Sequence, residues 1–589
     1  MDNRALTRAF RLCAQLLELH DENPFKIRAI EGTATALEQL QFPVSEVERS
    51  GLPDRTGLSK TAAAKVAELL DTGTFEELRR LLESTPPGVV EMLSIKGIGP
   101  KKIRQLWREA GLESPEQLRE AAQAGRVAKL KGFGEKTQDS ILAALEFTDQ
   151  SRGKLLYPQA EQLANDLLAR LRAALKTEQV AVAGEVRRRL ETVEVVRLLA
   201  ATARPSTAHE LLNGLDGLTA DPRRCGPFAW RGTATQSGVQ VEIMLVQPEA
   251  FINQLFLLTG AEVHLSEALP GPAEGQPRPA GQPATLRQWL SREQFFSEEA
   301  IYEKAGLQYV VPELREGLGE LALAAARQLP VLLEDADLRG ALHNHSTYSD
   351  GSHSLRDMAT FLRGQGYEYL GICDHSPAAH YANGLNAERV RQQHQEIDRL
   401  NLELAPFRIF KGIESDILGD GSLDYEPAVL ASFDFVVASV HSNLKMDEQR
   451  ATERLLRAIR NPYCTMLGHP TGRLLLRRQG YPIDYKAVID ACAQHQVIIE
   501  INANPWRLDL DWRWVRYALA QGVPLSINPD AHHPDGYADM RYGVLMGRKG
   551  LLTKDMTFNA KTAVEVAAYF EARKAGIKAP EVFQQSLFE

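Results

Sequence analysis

Short apolar runs in the C-terminal half of the chain end repeatedly in a histidine, an aspartate or a glutamate. The runs read Ala-Leu-His343-Asn-His345, Gly-Ile-Cys-Asp-His375, Lys-Gly-Ile-Glu414, Ala-Ser-Val-His441, Met-Leu-Gly-His469 and Ser-Ile-Asn-Pro-Asp530-Ala-His532. Such a run is typical of a barrel strand that carries a polar side chain to the rim. About seven of these strand candidates alternate with helical segments, a pattern that predicts an α/β barrel.

A barrel of this kind would bring nine ligand-type side chains to one rim. They are His343, His345, Asp350, His375, Glu414, His441, His469, Asp530 and His532. A single buried histidine is often satisfied by hydrogen bonds, so any one of them alone carries little weight. Nine converging imidazoles and carboxylates can share one buried spot only around metal ions. Eleven of the fourteen histidines also lie after residue 340, and we therefore predict a metal-dependent active site there.

Length, charge and cysteine content narrow the setting. A chain of 589 residues should form several domains. Its net charge of −9 provides no global basic field, so any DNA contact must come from local sites. No apolar stretch approaches the ~20 residues that span a bilayer, and the five cysteines share no framework spacing. We expect a monomeric protein of the reduced cytoplasm, without a membrane partner.

Two similar glycine-centred breaks interrupt the helical N-terminal region. One contains Gly97, Gly99, Lys101 and Lys102, and the other contains Gly132, Gly134 and Lys136. Both match the helix-hairpin-helix form, in which paired glycines turn backbone N–H groups toward a phosphate and a lysine lies close by. Such contacts are independent of DNA sequence because they involve only its backbone. The alternative is a pair of ordinary glycine turns. A weaker third copy spans residues 56–60.

With these motifs, the chain resembles bacterial family X DNA polymerases fused to a polymerase-and-histidinol-phosphatase (PHP) domain. The resemblance rests on Glu22-Asn-Pro-Phe-Lys26-Ile-Arg28, the two hairpins, Arg187-Arg-Arg-Leu-Glu191-Thr192-Val193, His343-Asn-His345-Ser-Thr-Tyr-Ser-Asp350-Gly, Gly468-His469-Pro-Thr-Gly-Arg473 and Glu500-Ile-Asn502-Ala-Asn504-Pro. It implies an all-α helix-hairpin-helix region, an α+β polymerase-beta-like nucleotidyltransferase palm and a C-terminal distorted (βα)7 PHP barrel. It also implies that the nine rim residues hold three divalent ions. Imidazole-rich ligation admits Zn, Fe or Mn, and the resemblance favours Mn²⁺.

The resemblance also divides the chain into segments. We expect a helical lyase-like DNA-binding domain at 1–85, helix-hairpin-helix fingers at 86–150, a palm at 151–245, a reduced thumb at 246–315, a helical linker at 316–335, the PHP phosphoesterase at 336–575 and a tail at 576–589. A Pro/Gly-rich stretch at 269–283 interrupts the thumb and should form a flexible loop.

The palm departs from the family at the positions that bind metal for nucleotidyl transfer. That reaction needs two divalent ions bridged by carboxylates. The family's two aspartate positions hold Val195 and Arg197 here, and the third holds Glu242. Glu185 replaces the serine that holds the incoming triphosphate, and Glu194 could substitute for a lost aspartate only through a register slip. We predict a palm that holds DNA without polymerising it.

These features predict a DNA-repair nuclease that acts on gapped, nicked or recessed 3′ ends. The expected activity is 3′→5′ exonucleolytic, with 3′-end or abasic-site processing as a further activity. Arg473 and Arg507 follow ligand-bearing strands and could bind flanking phosphates, or could form ion pairs at the barrel rim. Three alternatives stay open: an active gap-filling polymerase with an editing PHP domain, a small-molecule phosphatase, and a non-catalytic DNA-binding adaptor.

Two further residue sets suggest smaller roles. Lys65 falls where the resemblance places a Schiff-base lysine that attacks the sugar aldehyde of an incised abasic site. The alternative is an exposed helix lysine. At the C-terminus, Gln584, Leu587 and Phe588 resemble the peptide by which bacterial proteins bind the sliding clamp.

Overall fold

The computed structural model describes residues 1–40, 42–95, 97–270 and 281–576. It divides the chain into two compact units, Met1–Arg152 and Gly153–Glu589. No helix within the described ranges is long and apolar enough to cross a membrane.

The first unit is helical in its described part, as predicted. Its helices are α1 (Asn3–Leu19), α2 (Pro24–Gln39), α3 (Leu52–Thr56), α4 (Lys60–Thr72), α5 (Glu76–Glu83), α6 (Pro87–Met92), α7 (Pro100–Arg108), α8 (Pro115–Gln123) and α9 (Glu135–Ser151). Helix α1 begins at Asp2, whose carboxylate accepts the Ala5 N–H at 2.7 Å and so caps a free backbone donor. The apolar faces share one core that runs from Leu6 to Leu145, with the rings of Phe10 and Phe75 stacked 5.0 Å apart. One core therefore joins the lyase-like and finger segments.

Three helix pairs in this unit are joined by the same turn. Each turn contains a glycine with positive φ, which is Gly57 (69°), Gly97 (92°) or Gly132 (81°). The N-cap residue of the next helix follows two residues later. It is Ser59 at α4, whose side chain caps the helix, and it is Gly99 at α7 and Gly134 at α9, which have no side chain to do so. The left-handed conformation requires glycine, since a side chain there is strained.

The second unit begins with a small α+β layer. Its elements are β1 (Leu155–Leu156), α10 (Tyr157–Leu175), β2 (Val180–Ala183), α11 (Gly184–Arg187), β3 (Thr192–Val193), β4 (Val195–Ala201), α12 (Pro205–Asn213), β5 (Leu218–Ala220), β6 (Ala229–Ala234), β7 (Gln240–Val246), α13 (Phe251–Thr259), α14 (Glu262–Ser266), α15 (Leu286–Arg292) and α16 (Glu298–Ala305). The main sheet has the order β2-β4-β7-β6-β5. Strands β4 and β7 run parallel and place Arg197 beside Glu242.

The segment at 316–335 is less helical than predicted. Its one α-helix is α17 (Glu320–Ala326), followed by an extended stretch that leads to the barrel. Gly317 and Gly319, with φ values of 75° and 89°, prevent the helix from starting earlier. Pro330 cannot continue a helix beyond it, because proline lacks the N–H that the ladder needs.

The rest of the unit is the predicted barrel of seven parallel strands. Its elements are β8 (Gly340–Ala341), α18 (Leu355–Gly364), β9 (Tyr369–Ile372), α19 (Ala387–Glu403), β10 (Arg408–Asp416), α20 (Pro427–Leu430), β11 (Phe435–Ser439), α21 (Glu448–Ile459), β12 (Met466–Leu467), α22 (Tyr485–His495), β13 (Ile498–Asn502), α23 (Trp512–Ala520), β14 (Leu525–Asn528), α24 (Met540–Lys549) and α25 (Ala563–Lys574). The strands follow chain order from β8 to β14. A parallel bridge between Asn344 and Ala531 brings the two edges together.

Palm and barrel share buried contacts within the second unit. The Glu191 carboxylate, almost fully buried, accepts the Trp512 indole N–H at 2.9 Å and the Arg513 guanidinium at 2.7 Å. The buried ammonium of Lys549 donates to the carbonyl oxygens of Arg188 and Glu313. The conformation of the 187–191 segment is thus tied to α23 and α24 of the barrel.

Candidate metal centre

The nine predicted ligand-type side chains meet at the carboxyl end of the barrel. Glu414 lies on β10, whereas His343, His375, His441, His469 and Asp530 each come within three residues after β8, β9, β11, β12 and β14. Asp350 and His532 lie on the loops that follow β8 and β14, and His345 follows His343 by two residues. Parallel strands end at the same rim, so side chains far apart in sequence converge.

The carboxylate of Glu414 lies in the middle of five imidazoles. Its Oε1 atom lies 3.3 Å from His343 Nε2, 3.1 Å from His441 Nε2 and 3.0 Å from His469 Nε2. Its Oε2 atom lies 3.0 Å from His375 Nδ1 and 3.7 Å from His345 Nε2. Because imidazole nitrogens lie near both of its oxygens, the Glu414 carboxylate could share cations with these rings.

Asp530 and Asp350 supply carboxylates on the other side of the cluster. Asp530 Oδ1 lies 3.1 Å from His345 Nε2 and 3.8 Å from His343 Nε2. Asp350 Oδ1 lies 3.3 Å from His532 Nε2 and 3.6 Å from His375 Nε2. His532 and Asp350 are more exposed than the rest, at 40% and 34% of their side chains, so this side faces solvent.

The side chains form three overlapping groups that could each hold one ion. The groups are His345, Asp350, His375 and His532; His343, His345 and Asp530; and His375, Glu414 and His441. Within the described residues, four buried ring nitrogens of the site lack a hydrogen bond of acceptable geometry: His345 Nδ1 and His469 Nδ1, and also His343 Nε2 and His375 Nδ1, which face the Glu414 oxygens at 3.3 and 3.0 Å. Buried polar atoms are almost always satisfied, so these orphans fit metal ligands. Mixed imidazole and carboxylate donors suit Mn, Fe or Zn.

The charges of the cluster are strongly coupled. Burial favours a neutral carboxyl, yet the surrounding rings of His441, His343 and His375 hold the pKa of Glu414 well below its ordinary value. Burial likewise disfavours a charged imidazole, but the Glu414 carboxylate and a hydrogen bond to Asp416 raise the pKa of His441 to about 10. The carboxylates therefore stay ionised, as metal ligation requires.

Carboxylates behind the rim orient the ligands. Glu500, on β13, accepts the His343 Nδ1–H at 2.7 Å and the His469 backbone N–H at 2.7 Å. Asp416 is hydrogen-bonded to His441 Nδ1. Fixing one ring nitrogen leaves the other free to bind a metal. Glu500 belongs to a motif that carries the resemblance, whereas Asp416 belongs to none, although its spacing of two residues from Glu414 places both on the same face of β10.

The two predicted phosphate-binding arginines differ in their surroundings. Arg473 contacts Asp511 and the carbonyl oxygens of Arg507 and Leu508, with 13% of its side chain exposed. The geometry favours the rim ion pair over phosphate binding for Arg473, because its donors already have protein acceptors. Arg507 instead lies at the metal centre, with its Nε atom 3.4 Å from Asp530 Oδ2.

Comparison with known proteins assigns the family. The PHP domain family matches residues 341–504, and the SAM-like helix-hairpin-helix tandem family matches residues 89–146. The DNA polymerase/3′-5′ exonuclease PolX of Bacillus subtilis (strain 168) is 34% identical over 571 residues, which cover 97% of this chain and all of the relative. The chain belongs to the PolX family. The predicted resemblance, fold class and helix-hairpin-helix motifs are confirmed.

Part of the chain is also similar to shorter proteins. A probable phosphatase of Thermoanaerobacter sp. (strain X514) is 24% identical over 254 residues, which cover 41% of this chain and 97% of the relative. The probable phosphatase YcdX of Escherichia coli O81 (strain ED1a) is 29% identical over 169 residues, or 27% of this chain and 62% of the relative. This PolX protein is therefore longer than these relatives.

The hairpin lysines lie near the two turns that the tandem family covers. Lys101 is 77% exposed, with its ammonium 3.9 Å from Glu18, and Lys136 is also exposed. The Lys102 ammonium lies 5.4 Å from the centre of the Phe133 ring, so it links the first hairpin to the second. Gly99 and Gly134 have open space where a side chain would be. DNA binding by these residues stays a prediction.

Two of the palm positions named from the resemblance, Arg197 and Glu242, form an ion triad with Arg231. Glu242 is paired with Arg197 and lies 2.7 Å from the Nε atom of Arg231. Burial opposes its charge, but the hydrogen bond from Arg197 and that arginine's charge hold the pKa of Glu242 below its ordinary value. Glu185 accepts the backbone N–H groups of Glu194 and Val195 at 2.6 and 3.2 Å. Among the described residues, the potential metal-binding groups all lie in the barrel.

The two smaller predictions fall outside the barrel. Lys65, on α4, is paired with Glu77, which also lies 2.6 Å from the ammonium of Lys26. The ammonium of Lys65 also lies 5.8 Å from the centre of the Phe75 ring. The Schiff-base role of Lys65 stays a prediction. Gln584, Leu587 and Phe588 lie outside the described residues.

Proposed function

We propose that this PolX protein is a 3′→5′ exonuclease that hydrolyses DNA phosphodiesters in the barrel, on a palm that does not polymerise. The observation that carries the proposal is the buried cluster around Glu414, with five imidazoles within 3.7 Å of its oxygens and four orphaned ring nitrogens. The name of the B. subtilis relative, which joins polymerase and 3′-5′ exonuclease activities, supports the nuclease part.

We infer that the nine rim residues would hold three divalent ions, with Mn²⁺ favoured over Zn or Fe. When bound, such ions lower the pKa of a water molecule and offset the charge of a phosphate. The protein's own part is to keep the ligands ionised and oriented, through Glu500 behind His343 and Asp416 behind His441. Arg507, beside Asp530, is positioned to pair with a phosphate oxygen of the substrate.

The absence of polymerisation follows from the ion triad. Two bridged cations need acidic ligands, and here Arg197 and Arg231 already occupy the carboxylate of Glu242. Arginine has no acceptor atom and repels a cation, so Arg197 disfavours metal binding at this place. The palm then serves as a platform for gapped, nicked or recessed DNA, while the tandem hairpins bind backbone phosphates.

One gel assay tests both halves of the proposal. A 5′-labelled primer on a gapped template is incubated with Mn²⁺, with and without nucleotides, and compared with a His343→Ala/His345→Ala double variant. We expect the primer to shorten with the native protein only, and neither protein to extend it. Extension by either protein would contradict the palm assignment, and shortening by the double variant would contradict the barrel assignment.

A small phosphomonoester is the second candidate substrate, since part of the chain is similar to probable phosphatases. Competition separates the two. An excess of duplex DNA with a recessed 3′ end should inhibit hydrolysis of p-nitrophenyl phosphate if DNA is the true substrate. Unchanged hydrolysis at DNA concentrations that saturate the protein would favour a separate phosphatase role.

We also propose the lyase activity of Lys65 and clamp binding by the tail as separate, weaker functions. Borohydride trapping on an incised abasic substrate should disappear in Lys65→Ala and persist in the control Lys304→Ala, which lies outside the hairpin turns and is half exposed. Clamp pull-down should fail after removal of residues 584–589. Trapping by the Lys65 variant, or pull-down without the tail, would remove the corresponding function from the proposal.

A further inference from the structure

An exposed aromatic ring stands beside the metal centre. Tyr381, in a short 3-10 turn between β9 and α19, is 73% exposed, and its ring centre lies 6.0 Å from that of His375. A large aromatic side chain in water forgoes the burial that usually stabilises it. Neither the sequence motifs nor the proposed ligand set gives this residue a role.

The Tyr381 ring stands next to the charged cluster through His375, and most of its surface is open to solvent. Burial raises the pKa of its phenol, the carboxylates of Glu414, Asp416 and Asp350 raise it further, and the charge of Arg507 lowers it. These directions agree with the position that the ring distance gives.

Two arginines lie at the same rim. The Nε atom of Arg507 lies 3.4 Å from Asp530 Oδ2. Arg478 donates from its Nη2 atom to the Gly472 carbonyl oxygen at 2.6 Å, and the Gly472 N–H donates to the His469 carbonyl oxygen at 2.9 Å, so Arg478 is held close to a ligand residue. Burial lowers the pKa of Arg478 and the charge of Arg507 lowers it further, which agrees with two neighbouring cations. An aromatic face beside two cations suits a nucleotide, which has a base to stack and a phosphate to pair.

We propose that Tyr381 is a specificity-determining residue that stacks on the base of the 3′-terminal nucleotide, while Arg478 and Arg507 pair with the adjoining phosphates. The inference rests on the proposed nuclease function and deepens it. It specifies that the substrate is a polynucleotide end with a base on its last nucleotide, rather than any phosphoester that fits the metal centre. The stack is indifferent to the identity of the base because every base has a π-face.

The test pairs two variants with two substrates. Tyr381→Phe keeps the ring, whereas Tyr381→Leu removes it, and the high exposure of the residue makes both substitutions compatible with folding. The substrates are 5′-labelled oligonucleotides with Mn²⁺, one ending in thymidine and one in a 3′-terminal abasic nucleotide. Both have the same scissile phosphodiester, so their ratio of KM values reports contacts to the base.

For the native protein and Tyr381→Phe, we expect a KM about tenfold lower for the base-bearing end, the size that an aromatic stack supplies. In Tyr381→Leu this preference should vanish, with the KM for the thymidine end rising to that for the abasic end. Equal preference in the native protein and Tyr381→Leu would overturn the inference alone. Absence of cleavage by the native protein would overturn the proposed function and the inference together.

Discussion

The ligand residues can be buried because the negative charge of the Glu414 carboxylate is surrounded by imidazole nitrogens. Glu414 offers both oxygens to imidazoles from five positions of the barrel rim. An isolated buried carboxylate would be costly to ionise, whereas one surrounded by nitrogen ligands and cations is stabilised in its charged form. His469 belongs to none of the three groups of potential ligands, but its Nε2 atom lies 3.0 Å from Glu414 and so takes part in the same arrangement.

Glu500→Gln should weaken metal binding although Glu500 is not itself one of the nine ligands. All four of its contacts are donors: His343 Nδ1, the His469 backbone N–H, and the side-chain amides of Asn502 and Asn528. A carboxamide replaces one acceptor by a donor, so at least one buried contact becomes repulsive. We expect a roughly 10- to 100-fold loss of Mn²⁺ affinity by calorimetry. Unchanged affinity would contradict the orienting role.

The control for this measurement is a glutamate that contacts no ligand. Glu403 forms an exposed ion pair with Arg356 on the barrel surface, so Glu403→Gln changes the charge by the same amount at a distance from the cluster. We expect this variant to bind Mn²⁺ as the native protein does. A similar loss in both variants would indicate a general charge effect.

At the scale of elements, the hairpin turns contain glycines of two kinds. Gly97 and Gly132 have positive φ, so alanine at each costs roughly 1–2 kcal/mol of backbone strain. Gly99 and Gly134 have ordinary backbone angles and open space around the missing side chain. The second pair therefore has no structural need for glycine, whereas close approach of a phosphate would require it.

The double variant Gly99→Ala/Gly134→Ala should keep the melting temperature and lose DNA affinity by about tenfold, with a weaker salt dependence. Gly97→Ala/Gly132→Ala should lower the melting temperature. Fluorescence anisotropy with a labelled duplex and a thermal melt distinguish the two classes, with Gly364→Ala, another open position, as the control. Native affinity in the first variant would mean that DNA does not approach the protein at these turns.

Helix α16 provides an acid-sensitive connection between palm and thumb. Glu298 lies 2.7–2.8 Å from Arg187 and 2.8–3.1 Å from the fully buried Arg315. Burial opposes its charge, but the hydrogen bonds from Arg187 and Arg315 lower its pKa from 4.5 to about 2. A lowered pKa means that the stabilisation is present above pH 4.5 and is lost as the pH falls toward 2.

Glu298→Gln should therefore destabilise the second unit by roughly 3 kcal/mol near neutral pH. The difference in free energy of unfolding between native protein and variant should narrow as the pH falls from 4.5 toward 2, because Glu298 is protonated in the unfolded chain before it is protonated in the folded protein. Urea midpoints measured across this range test the sign, with the exposed pair variant Glu262→Gln as a control. A difference that stays constant with pH would show that the ionised form is not the stabilising one.

The sequence predicted the barrel strands, because the pattern of apolar and polar residues along the chain is enough to identify them. The strands that precede His343, His375, His441 and His469 could be predicted because each apolar run is followed by a polar residue. The ion pairs of Arg473 and Arg197 depend on which strands and loops become neighbours, and no local pattern encodes that. The helix expected over 316–335 was too long, because Gly317, Gly319 and Pro330 outweigh the apolar spacing. Tyr381 gave no signal, since a single exposed tyrosine has no period.

At the scale of the whole molecule, the palm is retained as part of the barrel's structure. Palm and barrel share one hydrophobic core, which includes Trp230 of the palm and Trp512 of the barrel. The buried ammonium of Lys549, in the barrel, donates to the carbonyl oxygen of Arg188, in the palm, at 2.8 Å. A buried lysine that loses its partners costs several kcal/mol. If the palm does not polymerise, as we propose, it would still be needed to satisfy these barrel residues.

This dependence predicts different outcomes for two N-terminal truncations. A fragment beginning at Gly153 keeps the whole second unit, whose core shares no residue with that of Met1–Arg152. It should fold, retain Mn²⁺-dependent thermal stabilisation, and lose about tenfold in DNA affinity with the hairpin phosphate contacts. A fragment beginning at residue 336 leaves Lys549 and Trp512 without Glu316 and Glu191, so it should melt lower and aggregate. Thermal melts with and without Mn²⁺ compare the two, and equal melting temperatures would show that the barrel is stable by itself and that the palm persists for another reason.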